Sequence, residues 1–310
     1  MNFNAEKKPL VEAALISAMA SVFVLVSLYI PILTILIFVL PVAFIMLGIR
    51  YPIKYAIFSL VFVCIMTVFY TDILYALFII IMFGPVSLVM AYLIKNKRKE
   101  FEVIIISTVV SAISWFLLIQ AAGVISGIDI VSQVADLFRE SFLSQTDMLS
   151  QINLSELRVN QSINYVIGII PALVVIQSMI ISVINYYLSI SVLKRTNKYK
   201  ENISTFSSFK LPNHIVMGFL LLVVLAFLTQ YVEGIYYENL LNNITTIFLF
   251  LLFLQGTAVI VFFIDKTKLN KVFRTIIVIV IILTGALITF VALAGFIDTI
   301  FNIRKLNEGQ

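Results

Sequence analysis

Nine stretches of 18 or more residues run through this chain with no charge beyond their first or last turn, and that feature limits the fold more than any motif does. They are Leu10–Tyr29, Ile32–Ile49, Ile53–Tyr70, Ile73–Ile94, Val103–Ile125, Ile163–Leu193, Ile215–Val232, Leu240–Ile264 and Thr275–Phe301. A hydrocarbon core about 30 Å thick takes roughly 20 residues of helix, and only a helix satisfies its own backbone in lipid. The expected fold is therefore all-α: a polytopic transmembrane helical bundle of 8 or 9 spans, forming one integral membrane domain over residues 1–310. The composition agrees, with 62% hydrophobic and 12% charged residues and a mean hydropathy of +1.11. One Cys and one His exclude a disulfide framework and a Cys/His zinc cluster.

The charges read as topology. With the N-terminus in the cytoplasm, alternation of spans leaves only Arg139, Arg158, Arg304 and Lys305 outside, of 21 lysines and arginines. The net charge of +5 is thus assigned to membrane insertion, not to nucleic acid. Ala18-Met19-Ala20 looks like a cleavage triplet but lies inside a longer apolar run, so an uncleaved first span is expected. Tyr29-Ile30-Pro31 marks a reversal between the first two runs. With abundant Ile, Lys and Asn and no transit segment, the sequence suits a bacterial cytoplasmic membrane.

Two connections are long. Residues 126–161 carry Asp129, Asp136, Glu140, Asp147 and Glu156 among apolar residues at helical spacing, which predicts one or two amphipathic helices on the external face. Residues 194–212 are basic through Lys194, Arg195, Lys198, Lys200 and Lys210, suited to anionic lipid or an acidic partner.

Charged groups inside a bilayer are costly and mark function. Here the pattern places Glu12 at the start of the first span, with Asp72, Glu233 and Asp298 near external ends, so no midplane carboxylate is expected and proton-coupled antiport is disfavoured. The polar residues within spans are uncharged: Trp115 and Gln120 in the fifth, Gln177 and Asn185 in the sixth, Gln230 in the seventh, Gln255 in the eighth. Trp115, Gln120, Gln177, Gln230 and Gln255 are the candidate ligand-binding residues; each could equally bond across helices. Pro41, Gly84-Pro85 and Gly168 with Pro171 interrupt spans, which frees backbone groups for a ligand or simply kinks a helix. In the first span Ala13, Ser17 and Ser21 form one small-residue stripe and Ala14 and Ala18 the next, and the latter pair is the candidate docking face for a partner. The chain contains no GxxxxGK[ST], HExxH, GxSxG or GxGxxG signature, so no catalytic residue, metal site or cofactor is expected, and any ATP must be bound by another chain. Cys64, among Phe62, Val63, Ile65 and Met66, reads as a small buried hydrophobe.

The stretch Leu40-Pro41-Val42-Ala43-Phe44 through Gly48-Ile49-Arg50-Tyr51, then Phe83-Gly84-Pro85 and Lys95-Asn96-Lys97-Arg98, resembles the YybS family of bacterial membrane proteins. Pro52 stands where that family commonly has glycine, which leaves the geometry of this turn open. The first half also looks similar to the substrate-binding subunits of energy-coupling-factor transporters. That resemblance implies docking of a transmembrane coupling subunit through Ala14 and Ala18, a small metabolite as ligand, and separate ATPases. The leading expectation is a permease-like small-solute-binding subunit in the lipid bilayer that relies on partners for energy; the alternative is a non-transporting scaffold or regulatory protein.

Overall fold

The computed structural model describes residues 3–127, 130–143, 156–195, 205–212, 214–232, 234 and 236–306. Among them every regular element is helical: α1 (Phe3–Tyr29), α2 (Pro31–Leu36), α3 (Pro41–Arg50), α4 (Ile53–Tyr70), α5 (Ile73–Lys95), α6 (Glu100–Ser126), α7 (Ile130–Leu143), α8 (Glu156–Gly168), α9 (Ile170–Arg195), α10 (Ile215–Leu228), α11 (Tyr237–Asp265), α12 (Lys271–Leu283) and α13 (Ile288–Phe301). Seven helical stretches are long and apolar enough to cross a membrane, and an eighth arises if α12 and α13 count as one bent span.

The nine apolar runs map onto these elements with three corrections. The last run is broken: Val272–Ile281 and Gly285–Phe301 meet at 81°, with Thr284 extended at the junction. The run from Ile215 gives only a 14-residue helix, extended by a 3-10 turn over Thr229–Tyr231, short of the roughly 20 residues a crossing takes. The sixth span starts at Ile170 and not at Ile163, because Ile163–Gly168 closes the preceding amphipathic helix α8. The reversal at Pro31 is present, with Ile30 held extended (φ −118°, ψ 102°) as a residue before proline must be. The second span is itself interrupted, since a 3-10 turn over Ile37–Val39 separates α2 from α3 and Pro41 opens the latter. Pro85, by contrast, lies within an unbroken α5. The segment 126–161 yields the amphipathic helix α7 and the start of α8 as expected; residues 144–155 lie outside the described set.

The chain divides into two compact units where hydropathy alone suggests one domain. Unit 1 comprises Met1–Ile125 and Gln177–Ile203, and unit 2 comprises Ser126–Ile176 and Ser204–Gln310. In lipid, helices associate through close packing and polar contacts because the tails are as apolar as leucine. Unit 1 shows both. Phe44, Val63, Ile79, Met82 and Phe83 fill its core with Val24 and Ile37. Gly48 lets α3 approach α5 so closely that an added Cβ would lie 2.9 Å from the Ala91 methyl. Ala13, Ser17 and Ser21 are buried, and the Ser17 hydroxyl meets that of Ser59 on α4 at 2.7 Å. Ala14 and Ala18 face outward from the unit.

Unit 2 packs backbone on backbone. A Cβ on Gly256 of α11 would lie 1.8 Å from the Val291 carbonyl oxygen of α13, and one on Gly295 would lie 2.0 Å from that of Leu252. The rings of Phe219 on α10 and Phe248 on α11 stack with centroids 3.7 Å apart. The break between α8 and α9 is satisfied by one side chain. The Asn243 amide accepts from the Ala172 N–H (2.7 Å) and donates to the Gly168 carbonyl (2.6 Å), so freed backbone groups are not left bare in an apolar setting.

Candidate functional site: polar groups buried in the two units

The apolar stretch of α11 runs from Ile244 to Ile264, and Gln255 stands near its middle. At 1.5 Å per residue it lies about 15 Å from the Asp265 end. Its carboxamide is wholly buried and engaged at both ends: Oε1 accepts from the Leu211 N–H (2.9 Å) and Nε2 donates to Asp298 Oδ2 (2.7 Å). Asp298 in turn receives Arg304 Nε at 3.0 Å and Nη2 at 2.9 Å. Two further guanidinium donors go to backbone carbonyls, one on Nη1 to Ser207 (2.7 Å) and one on Nη2 to Phe209 (2.7 Å). The two charged side chains are 0% and 1% exposed.

This arrangement refines two expectations. Asp298 does stand in the last turn of α13, but that turn is buried beside the middle of α11, and Arg304, expected beyond the last span, is buried against it. They form a buried ion pair deep beside α11, joined to the irregular segment 205–212. The local cause is Asn302, which ends α13 in the left-handed conformation (φ 46°) and turns the chain back so that Arg304 meets Asp298. An Asn directly after an apolar run, with Asp four residues before it and Arg two after, was the available signal. Desolvating both ions is tolerated here because every nitrogen of the fork and both carboxylate oxygens have partners, Oδ1 accepting from the Arg304 N–H (3.2 Å).

Unit 1 holds a different set. Ser107 and Ser111 on α6 and Ser178, Ser182 and Ser189 on α9 are buried with hydroxyls that meet no hydrogen-bond partner among the described residues, as are the Trp115 indole N–H and Asn185 Oδ1. A helical serine always has a carbonyl four residues back within reach. Elsewhere in the chain that bond is made: Ser21 to Ser17 (2.8 Å), Thr67 to Val63 (2.7 Å) and Thr108 to Ile104 (2.8 Å). Spacings of 107, 111 and 115 on α6, and of 178, 182, 185 and 189 on α9, place each set on one helical stripe. α6 and α9 are tied where the Tyr187 hydroxyl donates to Glu100. Both also abut the interrupted second span: Asn185 Nδ2 donates to the Phe38 carbonyl at 2.8 Å, and Trp115 packs against the cluster that contains Ile37 and Leu40.

The five candidate ligand residues are not brought together. Trp115, Gln120 and Gln177 belong to unit 1, Gln230 and Gln255 to unit 2. Gln120 and Gln230 are exposed, Gln177 and Trp115 are half-buried, and Gln255 is engaged with protein. The residues that sequence reasoning missed are the serines, whose four-residue spacing was visible but reads as ordinary helix packing. Two cavities in unit 2 involve none of these groups. One of 220 Å³ is lined by Ile260, Ile281, Leu287, Phe290, Val291 and Ala294; the other, of 390 Å³, lies between α11 and α12 beside the Asp265–Arg274 ion pair. No group of three or more His, Cys, Asp or Glu that could hold a metal occurs among the described residues. Glu233 lies outside them.

A third polar cluster explains the Gly48-Ile49-Arg50-Tyr51 motif. Glu12 accepts from Arg50 Nη1 (2.6 Å) and from the Tyr51 hydroxyl (2.5 Å), while Lys95 Nζ donates to the Tyr51 carbonyl (2.8 Å). The hydrogen bond to Glu12, with burial second, raises the Tyr51 phenol above its ordinary range. Pro52 fits the turn, capping α4 at φ −55° and ψ 139° while the Tyr55 N–H bonds its carbonyl.

The chain is 26% identical to the uncharacterised protein YybS of Bacillus subtilis (strain 168), over 97% of its own length and 98% of that protein's. No solved structure matches. Neither the family match nor this relative carries the energy-coupling-factor likeness. Residues 18–299 match the model of a family described as predicted membrane proteins, DUF2232, and with so much of its length covered the chain belongs to that family of multi-pass membrane proteins.

Proposed function

We propose that this protein is a permease-like subunit that binds a small solute within the membrane and draws energy from partner subunits. The observation that supports the reading is the Asp298–Arg304–Gln255 centre. A charged pair buried beside the middle of an apolar helix is expensive and rarely serves anchoring alone. It sits where an irregular segment, 205–212, and a span bent by 81° come together, the combination that transporters use to place polar groups at mid-membrane. No catalytic role is part of this proposal, and the solute, the coupling subunit and the ATPases are inferred from the reading itself.

The test is gentle isolation from the native membrane followed by mass spectrometry of everything retained. A recurrent small metabolite, or a second membrane subunit with an ATPase pair, supports the proposal. Lipids alone, or a partner without transport chemistry, favours the second reading, a scaffold. Outward-facing Ala14 and Ala18 leave a smooth helix face that suits a partner helix under either reading.

A further inference from the structure

The unpartnered polar groups of unit 1 have no use in the fold described so far. As the fifth and sixth spans, α6 and α9 run in opposite directions and are tied at Glu100 and Tyr187. The helical rise puts Ser107 and Ser111 about 10 and 16 Å along α6 from that tie, and Ser182 and Ser178 about 7 and 13 Å along α9. The two stripes therefore occupy the same depth. The interrupted second span reaches both helices, through Phe38 and through the Ile37 cluster. Such breaks are tolerated in a membrane where backbone is buried in protein or lines a cavity.

From this convergence we infer that α6, α9 and the 3-10 turn Ile37–Val39 form a binding site for an uncharged, hydrogen-bonding small molecule; the inference deepens the solute-binding reading above. Seven groups give the site its chemistry. Five hydroxyls both donate and accept, the Trp115 indole donates, and Asn185 Oδ1 accepts. A ligand with hydroxyl, amide or heteroaromatic nitrogen groups answers the hydroxyls of Ser107, Ser111, Ser178 and Ser182, and the Trp115 ring, one turn beyond Ser111, offers a face for a planar one, whereas Asn185 and Ser189 lie nearer the tie. The charge argument is as strong. Between Val103 and Ser126 on α6, and between Ile170 and Leu193 on α9, no residue is charged, so an ionic ligand would enter without a counter-charge. Helix packing does not explain the pattern. A hydroxyl with a carbonyl in reach that leaves it unused forgoes a bond, and the five on these two helices forgo five.

Trp115 is the chain's one tryptophan, so its fluorescence reports on the site directly. The full chain, purified in detergent, is titrated with small-molecule extract from the source cells, separated by ion exchange into neutral and charged fractions. A Trp115→Phe chain supplies the background. The neutral fraction should produce a saturable change in Trp115 emission. The Ser107→Ala/Ser182→Ala variant, retaining Trp115 and a wild-type melting profile, should need at least ten-fold more of it. A saturable response to the charged fraction alone, no saturable response to either, or an unshifted titration in the serine variant overturns the inference. Ser111→Ala/Ser178→Ala serves in the same way should the first variant fold poorly. Because the titration needs no partner subunit, binding without any retained coupling subunit would leave this site standing while the permease reading falls.

Discussion

Replacing Arg304 by methionine should be among the most damaging single changes to unit 2. Methionine keeps most of the side-chain volume but removes the guanidinium, leaving Asp298 buried with Gln255 and the Arg304 backbone N–H as its remaining donors. The Ser207 and Phe209 carbonyls lose their partner in the same step. Removing one member of a buried pair costs about 3–5 kcal/mol, because the surviving ion stays desolvated. For a unit of this size each kcal/mol moves the melting temperature by roughly 2–4 °C, so a drop of about 6–20 °C is expected. The Asp298→Asn/Arg304→Met double variant should recover much of the loss, since no bare charge remains. Thermal unfolding in detergent, with limited proteolysis at segment 205–212, reads both effects. An Arg304→Met melting point within about 2 °C of wild type, or a double variant worse than either single, would refute a buried, coupled pair.

Gly256→Ala and Gly295→Ala should each destabilise unit 2 by about 1–3 kcal/mol or more, because the new methyl meets backbone oxygen that cannot swing away; melting curves check it. Ser178→Ala should leave stability unchanged or raise it by about 1 kcal/mol, as it deletes an unpartnered hydroxyl. Ser17→Ala, which cuts the bond to Ser59, should cost about 1 kcal/mol. Tyr51 should titrate late among the phenols in a spectrophotometric titration and should move to lower pH in Glu12→Gln. Since the folded state holds that proton more tightly, the contribution is full below pH 10 and is lost as pH climbs above it, so melting points of wild type and Glu12→Gln should differ less in strong alkali.

The membrane class, most helix positions and the small-residue stripe of α1 were legible in the sequence, because apolar length and four-residue spacing are local properties. The bend near Gly285, the start of α9 at Ile170 and the shortness of α10 were not. The break before Ile170 is sealed by a polar partner far along the chain, Asn243, while the bend near Gly285 and the end of α10 at Thr229 fall within apolar runs whose hydropathy does not change there. The Asp298–Arg304 pair was missed for a related reason. Arg304 follows the last apolar run and reads as a flanking charge, until the left-handed turn at Asn302 sends it back beneath the helix. The glutamines attracted attention as the largest uncharged polar groups, yet two are exposed and Gln255 is occupied. The unpartnered serines were hidden because serine is among the small residues that commonly let two membrane helices approach.

The Asn243 side chain that seals the gap between α8 and α9 is supplied 71 residues after Ala172. During synthesis, therefore, the segment around Gly168 emerges long before its seal. Pro171 breaks the helix locally whatever follows, so until α11 is made the Ala172 N–H and the Gly168 carbonyl lack the partner they have in the finished protein. The sealing of this break, though not the break itself, is thus a late step that waits for the eighth apolar run. A nascent chain arrested shortly before residue 243 would hold the break with those two groups unsealed.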